Sequence, residues 1–316
     1  MFGILRPGDN FLAISGEPYD TLKNIIHGVE GKNVGSLKDY NIGYNFVDLI
    51  NNDFDIPSII SAIKQHNPKI VYIQRSRGYA IRNALSIEQI ERVIAEVKKV
   101  TNAYIVVDNC YGEFTETKEP TDVGADLVIG SLLKNMGGGI APTGGYIAGK
   151  EELIELISYK LTSPALGVDI GSYEPGYKAF FEGLFVSPHI VAQAKKLVVL
   201  ASVALNRVGY KTIPTINDNL SDIVCTILFN NKEKLISFTR AIQQASAIDS
   251  NTCLEAGEMD GYEDKIIMAS GSFNQGSSIE LSCDGPMREP YAAYLQGCLS
   301  YAHGKIGLIN AIKSIS

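Results

Sequence analysis

The sequence predicts an α/β protein in which a large domain on a mostly parallel sheet, with helices on both faces, precedes a smaller α+β domain. Two observations predict the large domain. Short apolar runs at 11–15, 69–74, 103–109 and 126–131 alternate with amphipathic segments, and near-continuous apolar strands separated by helices belong to a parallel sheet covered on both sides. A third observation predicts the small domain. Past residue 186 a long helical segment is followed by the strand-like runs DIVCTILFN, KIIMAS and SSIELSC, and runs of strands not alternating with helices read as α+β. The division is therefore placed at 1–186 and 187–316.

Each element has a local reason. FLAIS at 11–15 reads as a strand, and EPYDTLKNII at 17–26 reads as a helix closed by Gly28. IPSIISAIKQ at 56–65 reads as a helix, and KIVYIQ at 69–74 as a fully buried strand behind Pro68. The segment from Ser86 puts Ile87, Ile90, Val93, Ile94 and Val97 on one helical face, and Ser86 with Gln89 makes a capping box. AYIVVDN and DLVIGS are the next strands. The run SPHIVAQAKKLVVLASVALNRVG reads as one helix with Pro188 in its first turn and Gly209 at its end. REPYAAYLQGCLSYAHG is predicted helical, with Tyr291, Tyr294, Leu295, Cys298 and Leu299 on one face.

Composition excludes several function classes. The chain has 316 residues and a formal charge of −7, with Lys and Arg scattered, so no basic footprint for a phosphate backbone is present and nucleic acid is not expected as a partner. Arg6 and Asp9 interrupt the opening apolar stretch and no other stretch is expected to span a membrane, so the expectation is a cytoplasmic protein without a membrane partner. Five widely spaced cysteines and four dispersed histidines give no zinc or dithiol spacing.

Three glycine-rich alternatives fail around residues 124–150. GGYIAGKE has the glycines and Lys150 of a P-loop, but Glu151 stands where a magnesium-binding hydroxyl is needed. Pro142 occupies the third-glycine position of a dinucleotide fingerprint starting at Gly137, and no G-x-S-x-G elbow is found. What remains is an acid and an amine, Asp108 and Lys134, each at the end of a predicted strand. Ligands of such sheets sit beyond the carboxyl ends of the strands. An amine for a Schiff base and a carboxylate for a ring nitrogen suit pyridoxal phosphate. Ser131 offers a hydroxyl to the phosphate and Tyr111 a hydroxyl to the phenolic oxygen. Singly, each of these residues also fits a turn, a solvated loop or ordinary packing, and their joint placement is the argument. Arg75, Arg77 and Arg82 after one strand, and Arg288 in the second domain, are candidates to grip an amino-acid carboxylate.

With these residues assembled, the chain resembles fold-type I pyridoxal-phosphate enzymes of cysteine and methionine metabolism. More narrowly it resembles the methionine gamma-lyase family, whose members are also called aluminium resistance proteins or cystathionine beta-lyases. LRPGD, YIQRSRGY, VVDNCYGEF, GADLVIGSLLKNMGGGIAPTGGYIAG and DGPMREPYAAYLQG carry the likeness, which covers essentially the whole chain. The resemblance implies the pyridoxal-phosphate-dependent transferase fold and makes Lys134 the cofactor lysine, Asp108 the partner of the ring nitrogen, Ser131 a phosphate contact and Arg288 the carboxylate anchor. It also implies a homodimer or homotetramer. Tyr111 is similar to the tyrosine that some aminotransferases carry three residues after the same aspartate. Family members carry a further N-terminal segment with a phosphate-holding turn, so this chain is expected to lack the N-terminal part of the large domain. The expected activity is beta or gamma elimination from a sulfur-containing amino acid. Transamination and a non-catalytic role are the alternatives.

Overall fold

The apolar runs of the first half form one sheet. In the computed structural model, which describes residues 1–170 and 175–316, the chain begins with β1 (Asn10–Ala13), α1 (Asp20–His27) and β2 (Gly43–Phe46). A short hairpin, β3 (Leu49–Ile50) and β4 (Asp53–Phe54), leads to α2 (Ile56–His66), β5 (Ile70–Gln74), α3 (Ile87–Val97) and β6 (Tyr104–Asp108). Then come β7 (Leu127–Ser131), β8 (Gly145–Gly149) and α4 (Glu151–Leu161). The sheet runs β2-β1-β5-β6-β7-β8, parallel except for β8. Alternate side chains leave by opposite faces of a strand. Leu12, Val71, Ile73, Ile105 and Val107 accordingly enter one core layer, and Phe11, Ala13, Ile70, Tyr72 and Val106 the other.

Local signals set the helix ends. The Asp55 side chain accepts from the Ser58 amide to start α2, and Asn67 closes it in the left-handed region before Pro68. The capping box of α3 is formed as expected, with Ser86 Oγ accepting from the Gln89 amide and Gln89 Oε1 from the Ser86 amide.

The second half begins with α5 (Lys178–Arg207), followed by β9 (Lys211–Ile213), β10 (Val224–Leu228) and α6 (Lys232–Gln244). It ends with β11 (Ile266–Ala269), β12 (Ser282–Pro286), β13 (Ala292–Gln296) and α7 (Tyr301–Ser314). The antiparallel order β11-β12-β13-β10-β9 buries one face against α5, α6 and α7 around Leu197, Leu205, Phe238, Ile242, Leu295 and Leu308.

Three expectations are corrected here. Residues 292–296 are a strand, not the middle of a helix, and the helix starts only at Tyr301. The strand is buried on both faces, which erases the alternation that separates a strand from a buried helix. Gly297 then turns the chain at φ 70°, where a Cβ would meet three carbonyl oxygens within 2.5 Å. Pro188 lies inside α5, not in its first turn, while the neighbouring Ser187 hydroxyl donates to the Gly183 and Met136 carbonyls. The division placed at 186/187 therefore falls within one continuous helix. Finally, α5 is long and apolar enough to cross a membrane by length and composition, contrary to expectation. Its buried residues, including Val191, Ala194, Leu197, Val198 and Ala201, run along a face packed into the protein core.

The two halves are tied by a buried ion pair. Arg77 Nη2 donates to both oxygens of Asp222 at 3.0 and 3.1 Å, Nη1 donates to the Ile213 carbonyl, and Ser76 Oγ donates to Asp222. Both partners are at most 3% exposed. Removing one member of such a pair strands the other charge. Asp222→Ala is expected to lower the unfolding free energy by about 3–5 kcal/mol in urea titration, and a loss below about 1 kcal/mol would show that the pair is solvated.

Candidate active site

The carboxyl ends of β5, β6 and β7 lie side by side, with Gln74 opposite Asp108 and Asp108 opposite Ile129. This edge brings Asp108 to the loop that carries Lys134. Asp108 is buried, its Oδ2 accepting from the Tyr72 hydroxyl at 3.2 Å and its Oδ1 from the Cys110 amide at 3.1 Å. Lys134 Nζ stands 4.5 Å from the centre of the Tyr111 ring, within cation-π range. Tyr111 has a positive φ of 69°, and its hydroxyl shares a hydrogen bond of 3.1 Å with Ser278 of the second half. A tyrosine in the left-handed region costs on the order of 1–3 kcal/mol and persists only where its surroundings hold it. Asn135 supplies part of that hold by donating to the Tyr111 and Glu113 carbonyls. Ser131 Oγ accepts from the Leu133 amide at 3.1 Å, shaping the turn to Lys134.

The glycines after Lys134 serve packing. A Cβ on Gly137 would lie 1.7 Å from the Leu132 carbonyl oxygen, one on Gly138 2.6 Å from the Gly183 oxygen, and one on Gly183 2.3 Å from the Gly137 oxygen. Bare backbone at these positions lets α5 approach the lysine loop.

The electrostatics centre on Lys134. Burial works against its ammonium, but Tyr111, Cys110 and Asp108 outweigh burial and hold the amine above its ordinary value. Burial pushes the Tyr111 hydroxyl up to about 12, against the pull of Lys134, and raises the Cys110 thiol well beyond its usual range, with the Asp108 charge adding to the shift.

The arginines separate into two groups. Arg75 is fully buried and its nitrogens are committed: Nε to the Leu85 carbonyl, Nη1 to Asn109 and Gly112, and Nη2 to Glu116 and Thr115. Arg77 is taken by Asp222. The expectation that these two grip substrate is therefore corrected, because neither presents a free fork. Arg82 likewise donates to four backbone carbonyls, those of Gln74, Arg75, Ser76 and Asn83. Arg288 sits in the turn between β12 and β13, paired with Asp264 at 2.6 Å, on the wall of a polar cleft of about 490 Å³ that Tyr19, Gln74 and Tyr79 also line. Its exposure makes that pair exchangeable for another carboxylate.

Residues not singled out from the sequence join the site. Tyr19 lies in the same cleft, its amide donating to Gln74 Oε1 and its hydroxyl within the electrostatic reach of Asp108 and Lys134. Asp284, on β12, accepts from the Tyr79 hydroxyl at 2.9 Å and from Gln296 Nε2 at 2.8 Å. Glu113 is fully buried and accepts from the Tyr146 hydroxyl at 2.9 Å. The sequence places Tyr19 and Tyr79 just beyond strand ends, where ligands of such sheets bind. It offers no comparable signal for Asp284, whose neighbours are brought together by the pairing of β12 with β13.

Comparison with known proteins follows from this geometry. A family model described as methionine gamma-lyase matches residues 1–316. The uncharacterized protein YnbB of Bacillus subtilis (strain 168) is 46% identical over 319 residues, covering 100% of this chain and 75% of that one. Among solved structures, a carbon-sulfur lyase involved in aluminum resistance from Clostridium novyi NT superposes with a TM-score of 0.94 at 47% identity, covering 100% of this chain and 74% of that chain. The pyridoxal-5'-phosphate dependent protein YhfS from Escherichia coli shares the fold, with a TM-score of 0.61 at 15% identity over 99% of this chain and 76% of its own.

Proposed function

The chain belongs to the methionine gamma-lyase family, and from that premise we propose that it is a pyridoxal-phosphate-dependent carbon-sulfur lyase acting on a sulfur-containing amino acid. The observation that carries this reading is that Asp108 ends β6 and the Lys134 loop follows the adjoining β7, with Asp108 among the groups that favour the Lys134 ammonium. These residues fit the cofactor by their chemistry. Among the described residues each Asp108 oxygen accepts one hydrogen bond, from Tyr72 and from the Cys110 amide, which leaves acceptor capacity for a protonated ring nitrogen.

When bound, the cofactor supplies an electron sink for the negative charge that develops at the substrate α-carbon. Lys134 would hold it through Nζ, and the same nitrogen, when not so engaged, would take the substrate α proton as general base. The surroundings that favour the Lys134 ammonium would stabilise the proton once that nitrogen has taken it. Asp108 would keep a proton on the ring nitrogen. The Ser131 hydroxyl would meet the phosphate, and Arg288 on the cleft wall would meet the substrate carboxylate, exchanging Asp264 for it. Departure of the thiol from the β or γ carbon and hydrolysis of the released enamine yield a keto acid and ammonia.

The test is incubation with pyridoxal phosphate, reduction with borohydride and peptide mapping by mass spectrometry. A pyridoxyl adduct confined to Lys134 and lost in Lys134→Ala supports the reading, whereas no adduct, or labels scattered over surface lysines, overturns it. Asp108→Asn is expected to retain the adduct while lowering thiol release about 100-fold or more. Wild-type turnover in that variant would show that the ring nitrogen has another partner.

A further inference from the structure

The GGYIAGKE run that fails as a P-loop supplies β8, the last strand of the first sheet, and among the described residues no strand pairs with its outer edge. In an antiparallel pair, residues that exchange hydrogen bonds alternate with residues that do not. The Leu132 amide donates to the Gly144 carbonyl and the Lys150 amide to the Asp126 carbonyl, each at 2.9 Å. With Gly130 opposite Tyr146 and Ile129 opposite Ile147, the even-numbered residues bond to β7, and Gly145 and Ile147 aim their N–H and C=O groups outward. Such edges are ordinarily defended by a lysine, a proline or a bulge. Gly145–Gly149 has none of these, being uncharged and paired one for one with β7.

Both faces beside this edge are apolar and open. On one, a groove of about 280 Å³ is walled by Leu127, Ile129, Ile147, Ile157 and Leu161. On the other, a groove of about 380 Å³ is walled by Val128, Tyr146, Ala148, Phe181 and Leu184. Leu161 is 80% exposed, Phe181 67%, and Phe185, one turn further along α5, 86%. Contiguous exposed apolar surface marks an interaction site. A strand laid along β8 would complete the hydrogen bonds of Gly145 and Ile147 and send alternate side chains into the two grooves.

The longer relatives indicate the occupant. The Clostridium novyi NT structure superposes on 100% of this chain but on 74% of its own, and YnbB matches over 75% of its length, so about a quarter of each lies outside the shared part. We infer that the outer edge of β8 is the docking site for an extended strand from that quarter, with uncharged, apolar side chains on both of its faces. A second copy of β8 fits less well. Between its terminal glycines it brings only Tyr146, Ile147 and Ala148, and the Tyr146 hydroxyl is engaged with Glu113. The inference stands apart from the lyase reading, since it uses neither Lys134 nor the cofactor.

The test mixes this chain with the part of YnbB outside the 319-residue match, produced as a separate polypeptide, and follows affinity by titration calorimetry and the β8 amides by hydrogen-exchange mass spectrometry. Binding is expected to slow exchange in the peptide that contains Gly145–Gly149. Ile147→Pro removes an outward N–H that β7 does not use, a position where an edge strand tolerates proline. It is expected to bind the probe about tenfold or more weakly than Ile147→Ala, which keeps the N–H on a smaller side chain, because an unmade backbone bond also leaves its partner unsatisfied. No binding by wild type, or equal affinities in the two variants, overturns the proposal. So does self-association in sedimentation equilibrium that Ile147→Pro abolishes while affinity for the probe is unchanged, since β8 would then pair with a second copy. If Ile147→Pro does not fold, Leu184→Asp, on an exposed groove wall, must weaken probe binding about tenfold or more, or the proposal fails.

Discussion

Lys134→Ala is expected to lower thiol release from a sulfur-containing amino acid by roughly 10⁴-fold or more while leaving the fold in place. The side chain combines two tasks that no neighbour can take over, because attachment of an aldehyde needs a primary amine and proton removal needs a base at the same point. Tyr111 and Cys110 lie closest in electrostatic terms, but burial pushes both protons toward retention. Asp108 is held at the sheet by Tyr72 and its own loop. Truncation also removes the cation that the Asp108 charge favours. Lys134→Arg separates the two effects, since it keeps a permanent cation but offers no amine for a Schiff base. The arginine variant is expected to be as inactive as the alanine variant and closer to wild type in stability. Residual activity above about a tenth of wild type in either variant would remove Lys134 from the proton-transfer step. Rescue of Lys134→Ala by added primary amines would support that step.

The parts of the fold legible in the sequence are those where one local signal dominates. Apolar strands separated by capped helices specify the first sheet because a strand buried on both faces needs no alternation, and Ser86 with Gln89 fixes the start of α3 through hydrogen bonds between residues three apart. The strand at 292–296 escaped because four apolar residues in a row precede Gln296 and show no alternation, and only the antiparallel partners on either side, β10 and β12, decide between strand and helix. For the site, the spacing of Asp108 and Lys134 behind two strands carries the information. The arginines mislead for a physical reason. A guanidinium beside a strand end satisfies buried carbonyls and carboxylates as well as it grips a ligand, and whether Arg77 meets Asp222 or solvent depends on a residue 145 positions away. Asp284 and Tyr79 are joined across 205 positions, a contact no local pattern encodes.

Glu113→Gln is expected to flatten the pH dependence of stability. Glu113 is fully buried, its Oε1 accepts from the Tyr146 hydroxyl, and its Oε2 has no hydrogen-bond partner among the described residues. Burial pushes the carboxyl up to about 8, while its own backbone amide, Tyr146 and Lys134 pull it down and the Asp108 charge adds to the rise. In the unfolded chain the group ionises near 4.5, so between that value and about 8 the folded state holds a proton that the unfolded state has released. Stability must then fall as pH rises through this window and level off above it. The loss is bounded at about 4–5 kcal/mol by the ~1.4 kcal/mol carried by each pH unit, and relaxation would reduce it. Gln keeps the acceptor for Tyr146 and cannot ionise, so urea unfolding at pH values below and above the window should show wild type losing about 2–4 kcal/mol more than the variant. Equal slopes in the two proteins would mean that Glu113 is ionised throughout. A neutral Glu113 has a consequence for the site. It keeps a further negative charge out of the cluster at neutral pH, where Asp108 is among the groups that favour the Lys134 ammonium.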